Sequence, residues 1–98
     1  MATISYSSAA IADLERLARF LLRVHPEHAE ATTGLIAEAL AILHQHPLIG
    51  RPAEAGLHEL LISRGRSGYV ALYEYRASTD HVLVHRIRHQ REAGFEEA

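Results

Sequence analysis

The chain has 98 residues, 48% of them hydrophobic and 22% charged, which is enough for one compact domain and too few for two independent cores. It contains no cysteine, which excludes disulfides and thiolate chemistry, and its formal net charge is only −2. No apolar segment is long enough to cross a bilayer, and residues 1–10 lack the basic and apolar regions of a signal peptide. We therefore expect a single cytoplasmic domain over residues 1–98, with no membrane partner.

The N-terminal half predicts one strand and two helices. Residues 3–7 have a strand-like composition and lead into serines that can cap a helix. From Ala9 to Val24 apolar residues recur with the helical period and leave charged residues on the other side, which predicts an amphipathic helix. Pro26 interrupts this helix and suits the first turn of a second one, from about Glu27 to His44. The short link between them predicts an antiparallel helix hairpin.

The C-terminal half predicts a sheet. Two prolines and a glycine make residues 46–52 a loop. Three segments rich in β-branched and aromatic residues follow, at 57–64, 69–76 and 81–88, and turn-forming clusters separate them, so we expect an antiparallel meander. Residues 90–98 are predicted to form a short helix or tail. The predicted fold class is α+β, with the N-terminal strand and the helix hairpin packed on a twisted antiparallel sheet whose other face is left for function.

Charge is distributed unevenly along the chain. Residues 60–91 carry six arginines against Glu74 and Asp80, so this segment is at about +4 while the remainder is acidic. All ten basic residues are arginine, the side chain suited to bidentate contact with carboxylate or phosphate, although the codon bias of a GC-rich genome explains the missing lysine equally well. Strand alternation is expected to place these arginines on the uncovered sheet face or at strand ends, away from the core.

The sequence contains no motif for a metal site, a nucleophile elbow or a phosphate-binding loop. His81, His85 and His89 recur every four residues, but four residues of strand span roughly 13 Å, too far for two ligands of one metal. Without cysteine or an HExxH motif we predict no metal site and no cofactor. The stretch "GRSG" at 65–68 lacks the strand-to-helix context of a nucleophile elbow, and there is no glycine-rich phosphate loop.

What remains is a cluster of arginine, histidine and aromatic residues on the last strands. The candidate binding residues are Arg64, Arg66, Tyr69, Tyr73, Arg86 and Phe95. If the protein cleaves RNA, the catalytic residues would be His89, Arg91 and Arg88, because an imidazole beside two arginines can shuttle protons and stabilise phosphate charge without a metal. The same groups can instead dock an acidic partner, or simply form a solvated sheet face.

Four segments, taken in order, resemble a known family. They are "AIADLERLARFLL" in the first helix, "LHQHPLIGRP" after the second, "LHELLIS" with "SGYVALYEY" in the strands, and "VLVHRIRHQREAGF" at the end. Together they resemble the RelE/ParE toxins of bacterial type II toxin–antitoxin systems, also called plasmid stabilisation proteins. The resemblance covers nearly the whole chain and implies the fold predicted above. It also implies growth inhibition, a cognate antitoxin as partner, and a hetero-oligomer with that antitoxin.

The resemblance implies one of two cellular targets. RelE-like members are ribosome-dependent mRNA endoribonucleases with basic residues on the central strands, where this chain has Leu61 and Ser63. They also have an arginine after "SGY" and a C-terminal tyrosine, where this chain has Val70 and Phe95, although Arg91 matches the remaining arginine. The "RHQRE" ending is similar to the H-x-R ending of ParE-like members, which poison DNA gyrase. The resemblance therefore favours a gyrase poison, with mRNA cleavage or a non-toxic antitoxin-binding module in operon autoregulation as alternatives.

Overall fold

The structure is a computed structural model that describes residues 1–62 and 68–89. Two helices pack on a five-stranded sheet with the strand order β1-β5-β4-β3-β2. The strands are β1 (Thr3–Tyr6), β2 (Arg51–Pro52), β3 (His58–Ile62), β4 (Tyr69–Arg76) and β5 (His81–His89), and the helices are α1 (Ser8–Val24) and α2 (Pro26–Ala41). Single 3-10 turns occupy Ile42–His44 and Glu54–Gly56. The predicted α+β class, a helix hairpin on a sheet, is confirmed.

A capping serine and a proline mark the starts of the two helices. The side chain of Ser7 accepts a hydrogen bond from the backbone N–H of Ala10 at 3.0 Å and caps the first turn of α1. Pro26 occupies the first turn of α2, where a missing N–H costs nothing. α2 ends at Ala41, and a 3-10 turn carries the chain on to His44, the predicted end of the helix. No helix within the described ranges combines the length and apolar character that crossing a bilayer would require.

The sheet is mixed because its N-terminal strand runs parallel to its neighbour. β3, β4 and β5 form the predicted antiparallel meander. β1 adds beside β5 in the parallel direction, with a register from Thr3 opposite His81 to Tyr6 opposite Val84. The two-residue strand β2, inside the predicted loop, covers part of β3, and its proline limits further pairing at that edge. The core lies between this sheet and the helices, and its largest fully buried side chains are Tyr73, Leu43, Ile62, Ile87, Val82 and Val84.

A β-bulge interrupts β5. The register between β4 and β5 shifts in the middle of the pairing, where β5 contains one extra residue, His85. Val84 and Ile87 are both fully buried, although they are three positions apart. Uninterrupted alternation from Val84 would turn the side chain of Arg86 into the core. The bulge therefore keeps Arg86 out of the core.

Candidate functional site

On the side away from β4, the C-terminal half of β5, residues 85–89, is bordered by a helix rather than by a strand. The pairing with β1 ends before residue 85, and α1 runs along the edge of β5 from there. The Ser7 hydroxyl donates a hydrogen bond to the carbonyl oxygen of His85 at 2.9 Å. The carboxylate of Asp13 accepts one from the backbone N–H of Ile87, also at 2.9 Å. These contacts satisfy backbone groups that would otherwise need a further strand.

Asp13 is the centre of an arginine cluster at this edge. Its side chain accepts two hydrogen bonds from Arg86, with Nε 2.9 Å from Oδ2 and Nη2 3.2 Å from Oδ1. Nη2 of Arg16 lies 3.4 Å from Oδ1, and Nε of Arg88 lies 4.0 Å from the same oxygen. Asp13 is only 3% exposed, so three guanidinium groups surround one buried carboxylate. The bidentate geometry with Arg86 is the strong and directional form of this contact.

The electrostatics of the cluster keep both principal partners charged. Burial alone would raise the pKa of Asp13, but the hydrogen bonds from Arg86 and from the N–H of Ile87 outweigh it, so this pKa is lowered. The hydrogen bond to Asp13 in turn raises the pKa of Arg86. An ionised carboxylate therefore holds the guanidinium of Arg86 in a fixed orientation at neutral pH.

The Asp13 cluster changes the roles available to the predicted arginines. Alternation was expected to aim them at the uncovered sheet face, but Arg86 turns to the edge of β5 because the bulge reorients it toward Asp13. Its side chain remains 41% exposed, whereas that of Arg88 is only 14% exposed. Sequence reasoning also placed Asp13 on the polar side of the helix. Asp13 lies three residues after Ala10 and four residues before Leu17, both of which are buried. This helical spacing was the signal that Asp13 lies on the buried side of α1.

The predicted tyrosines lie in the core. Tyr69 is 6% exposed and its ring packs edge-on against the ring of His89, with centroids 5.0 Å apart. Tyr73 is fully buried, and its hydroxyl accepts a hydrogen bond from the N–H of Gly50 at 2.9 Å. Burial raises the pKa of Tyr73, so its hydroxyl stays neutral. The expectation that these two tyrosines contact a partner is therefore corrected, because their side of β4 faces the helices and they fill the core there.

A second polar cluster was not predicted from the sequence. Glu74 on β4 accepts a hydrogen bond from Nε of Arg76 at 2.8 Å, and Nε2 of His85 lies 3.2 Å from its other oxygen. The hydrogen bonds from Arg76 and then His85 lower the pKa of Glu74. His85 is the bulge residue, so its position opposite Glu74 depends on the register of the strands. No sequence pattern indicates that register.

The remaining predicted residues fall elsewhere. Arg64, Arg66, Arg91 and Phe95 lie outside the described residues. Within residues 1–62 and 68–89, no three histidine, cysteine or acidic side chains come together as metal ligands would. The site that the structure assembles is thus the end of β5 with Arg86, Arg88 and His89, backed by Asp13.

Known proteins share both the sequence pattern and this fold. Residues 4–94 match the family model described as "ParE toxin of type II toxin-antitoxin system, parDE". A relative from Caulobacter vibrioides named Toxin RelE3 is 36% identical over 92 residues, which cover 94% of this chain and 98% of the relative.

Solved structures show the same architecture. A chain of the chromosomal ParDE toxin–antitoxin system from P. aeruginosa superposes with a TM-score of 0.76 at 24% identity, covering 91% of this chain and 96% of that one. A chain of the RelBE2 toxin–antitoxin complex from Mycobacterium tuberculosis gives a TM-score of 0.60 at 24% identity, covering 90% and 96%. The family match spans nearly the whole chain, and the protein therefore belongs to the ParE toxin family of type II toxin–antitoxin systems, within the RelE/ParE superfamily.

Proposed function

We propose that this protein inhibits bacterial growth unless its cognate antitoxin is bound, and that it acts in the ParE manner, by binding DNA gyrase. The match to the ParE toxin family model over residues 4–94 supports a toxin that acts in the ParE manner. The observation that carries the choice of mechanism is the Asp13 cluster, which places a buried carboxylate 4.0 Å from Arg88, one of the two arginines that RNA cleavage would use. The two similar solved structures come from toxin–antitoxin systems, which supports a hetero-oligomer with an antitoxin here.

The described geometry at the end of β5 suits a binding surface better than a ribonuclease centre. A catalytic arginine must reach a phosphate, whereas the side chain of Arg88 is largely buried and lies 4.0 Å from the Asp13 carboxylate. A carboxylate at that distance offsets part of its charge. The imidazole of His89 packs against Tyr69. These contacts favour fixed side chains that complement a protein surface.

Arg86 has the properties of an interface residue. Its bidentate bond to Asp13 fixes the guanidinium, and the side chain is still 41% exposed. A side chain that is already ordered loses little conformational entropy when a partner binds. Arginines of this kind are frequent among residues that dominate binding energy at protein interfaces.

Ribosome-dependent mRNA cleavage is the second candidate, because the 36% identical relative carries the RelE name. In that case His89 would donate the proton to the leaving 5′-oxygen, and Arg88 with Arg91 would stabilise the phosphate charge. This reaction needs no metal or other cofactor.

Induction of the protein without antitoxin in a bacterial host tests the proposal. We expect growth arrest with filamentation and a DNA-damage response, and inhibition of gyrase supercoiling by the purified protein. Co-expression with the neighbouring antitoxin gene should restore growth. Immediate translation arrest with mRNA cut at defined sites on the ribosome would instead establish the RelE-like activity. Normal growth with soluble, folded protein would leave only an antitoxin-binding module.

A further inference from the structure

The extra residue of the β-bulge, His85, is held at two points. The register between β4 and β5 passes over this residue, so the strand ladder alone does not fix it. Its carbonyl oxygen accepts a hydrogen bond from the hydroxyl of Ser7 at 2.9 Å. Its ring nitrogen Nε2 lies 3.2 Å from Oε1 of Glu74. The backbone of His85 is thus held from the start of α1, and its side chain is held from β4.

Glu74 is itself fixed in place. Its second oxygen, Oε2, accepts a hydrogen bond from Nε of Arg76 at 2.8 Å. The hydrogen bonds from Arg76 and then His85 lower the pKa of Glu74, so the carboxylate is ionised at neutral pH and can only accept. Glu74 follows the buried Tyr73 and therefore points to the sheet face that the helices leave uncovered. The contact with Glu74 holds the imidazole of His85 on that face.

Two registers without a bulge would compete with the observed one. If the register of the first half of β5 continued unbroken, Arg86 would turn into the core. If the register of the second half extended back along the strand, His85 would turn into the core instead. The contact with Asp13 opposes the first of these registers, and the contact with Glu74 opposes the second. The bulge is the arrangement in which both side chains stay outside the core.

We propose that Glu74, acting through His85, is a positioning residue for Arg86. Glu74 fixes the bulge from the uncovered sheet face, and Asp13 fixes it from the side of α1. The guanidinium of Arg86 keeps its orientation only while both contacts are made. This role rests on the proposed function, in which Arg86 contacts gyrase. The gyrase-binding surface at the edge of β5 then depends on a carboxylate of the neighbouring strand.

The protonation of Asp13 reports the position of Arg86. Burial raises the pKa of Asp13, but the hydrogen bonds from Arg86 and from the N–H of Ile87 bring it below its usual value. A displaced Arg86 therefore raises this pKa. Loss of the negative charge of Glu74 acts in the opposite direction, because fewer negative charges nearby favour the ionised form of Asp13. The sign of the change separates positioning from a simple effect of charge.

Glu74→Ala removes the contact with His85, and an NMR titration of the side-chain carboxyl carbon of Asp13 measures the outcome in the free protein. We expect the pKa of Asp13 to rise. Glu59→Ala is the matched control, because it removes the same charge from an ion pair with Arg51 on β3, which β4 separates from β5. In the control this pKa should stay at the wild-type value or fall. A pKa that stays or falls in Glu74→Ala would overturn the proposal.

His85→Ala removes the same contact from the other side and leaves the charge of Glu74 in place. We expect the pKa of Asp13 to rise in this variant as well, so the proposal can still be tested if Glu74→Ala does not fold. Glu74→Gln keeps an oxygen that can accept from His85, and it should change the pKa of Asp13 less than Glu74→Ala does. Equal effects of these two substitutions would contradict the hydrogen bond as the cause. Thermal unfolding verifies that each variant is folded.

A double-mutant cycle with purified gyrase tests the consequence for binding, which surface plasmon resonance can measure. Glu74→Ala should raise the dissociation constant by about tenfold. Added to Arg86→Ala, the same substitution should weaken binding no further, because the side chain that it positions is then absent. Additive effects would mean that Glu74 contacts gyrase directly, and the positioning role would be wrong. If the wild type does not bind gyrase, the proposed function fails, and the titration of Asp13 still decides whether Glu74 positions Arg86.

Discussion

The carboxylate of Asp13 and the guanidinium of Arg86 are joined by two hydrogen bonds across 73 residues of sequence. The same carboxylate accepts the backbone N–H of Ile87, so one buried side chain fastens the first helix to the last strand next to the β-bulge. Its removal would leave a strand N–H and a guanidinium without their acceptor. The consequences for stability can be measured.

Asp13→Asn should lower the free energy of unfolding by about 1.5–3 kcal/mol, the usual contribution of hydrogen bonds to a charged group. The amide keeps the size of the side chain but cannot accept from Arg86 as an anion. Urea denaturation followed by circular dichroism would measure the change. Glu15→Gln, an exposed carboxylate on the same helix, is the matched control and should stay within about 0.5 kcal/mol of the wild type. Equal effects of the two substitutions would contradict the role of Asp13.

Stability should fall at acid pH, and Asp13 should contribute to that fall. Its pKa is lowered in the folded protein, so its contribution is complete above the unfolded pKa of about 4. As the pH falls through that value and then through the folded pKa, the unfolded chain binds the proton first and the contribution is lost. Urea midpoints measured from about pH 7 to about pH 3 should decline less steeply for Asp13→Asn than for the wild type. Parallel curves would show that Asp13 titrates normally.

Gly50→Ala and Gly34→Ala should change stability in opposite directions. A Cβ at Gly50 would lie 2.7 Å from the carbonyl oxygen of Glu59 and 2.8 Å from the hydroxyl of Tyr73, so we expect a loss of about 1–3 kcal/mol. A Cβ at Gly34, inside α2, would meet nothing within 4 Å, and alanine there should gain about 0.5–1 kcal/mol through helix propensity. Thermal unfolding of both variants would measure these two changes in stability. A neutral Gly50→Ala would mean that the loop has room to move.

Alanine substitutions at the end of β5 should weaken toxicity by graded amounts if the protein acts by binding gyrase. Arg86→Ala should have the larger effect, because Arg86 is ordered and exposed, and His89→Ala the smaller one. Growth assays with titrated induction would rank them, with Arg51→Ala at the far edge of the sheet as control. A ribonuclease would behave differently: loss of its acid–base residue typically costs 10²–10⁴-fold in rate. Complete loss of toxicity in His89→Ala, together with loss of mRNA fragments, would therefore refute the gyrase proposal.

Local patterns in the sequence predicted most of the elements. The helical period from Ala9 and the proline at 26 indicated the hairpin to within a residue at α1, because capping and periodicity act over a few neighbouring positions. The alternation and turn clusters beyond residue 57 indicated the three-strand meander for the same reason.

Long-range relationships could not be predicted in this way. Nothing local to Thr3–Tyr6 specifies β5 as its partner or the parallel direction. The bulge at His85 reverses which side of the strand Arg86 occupies, and one extra residue leaves no mark in the amino-acid pattern. The helical period placed Asp13 with the other charged residues on the polar side of the helix, and nothing near it indicates the partner that buries it, which lies 73 residues away.

The parallel pairing of β1 with β5 also determines the order in which parts of this fold can form during synthesis. β1 at Thr3–Tyr6 is translated long before its partners at 81–84. α1 and α2 can form early from local contacts, but the edge of the sheet and the Asp13 cluster both wait for β5. A nascent chain that still lacks β5 therefore has neither the completed sheet nor the Asp13 cluster, and the surface around Arg86 forms only after β5 has been translated.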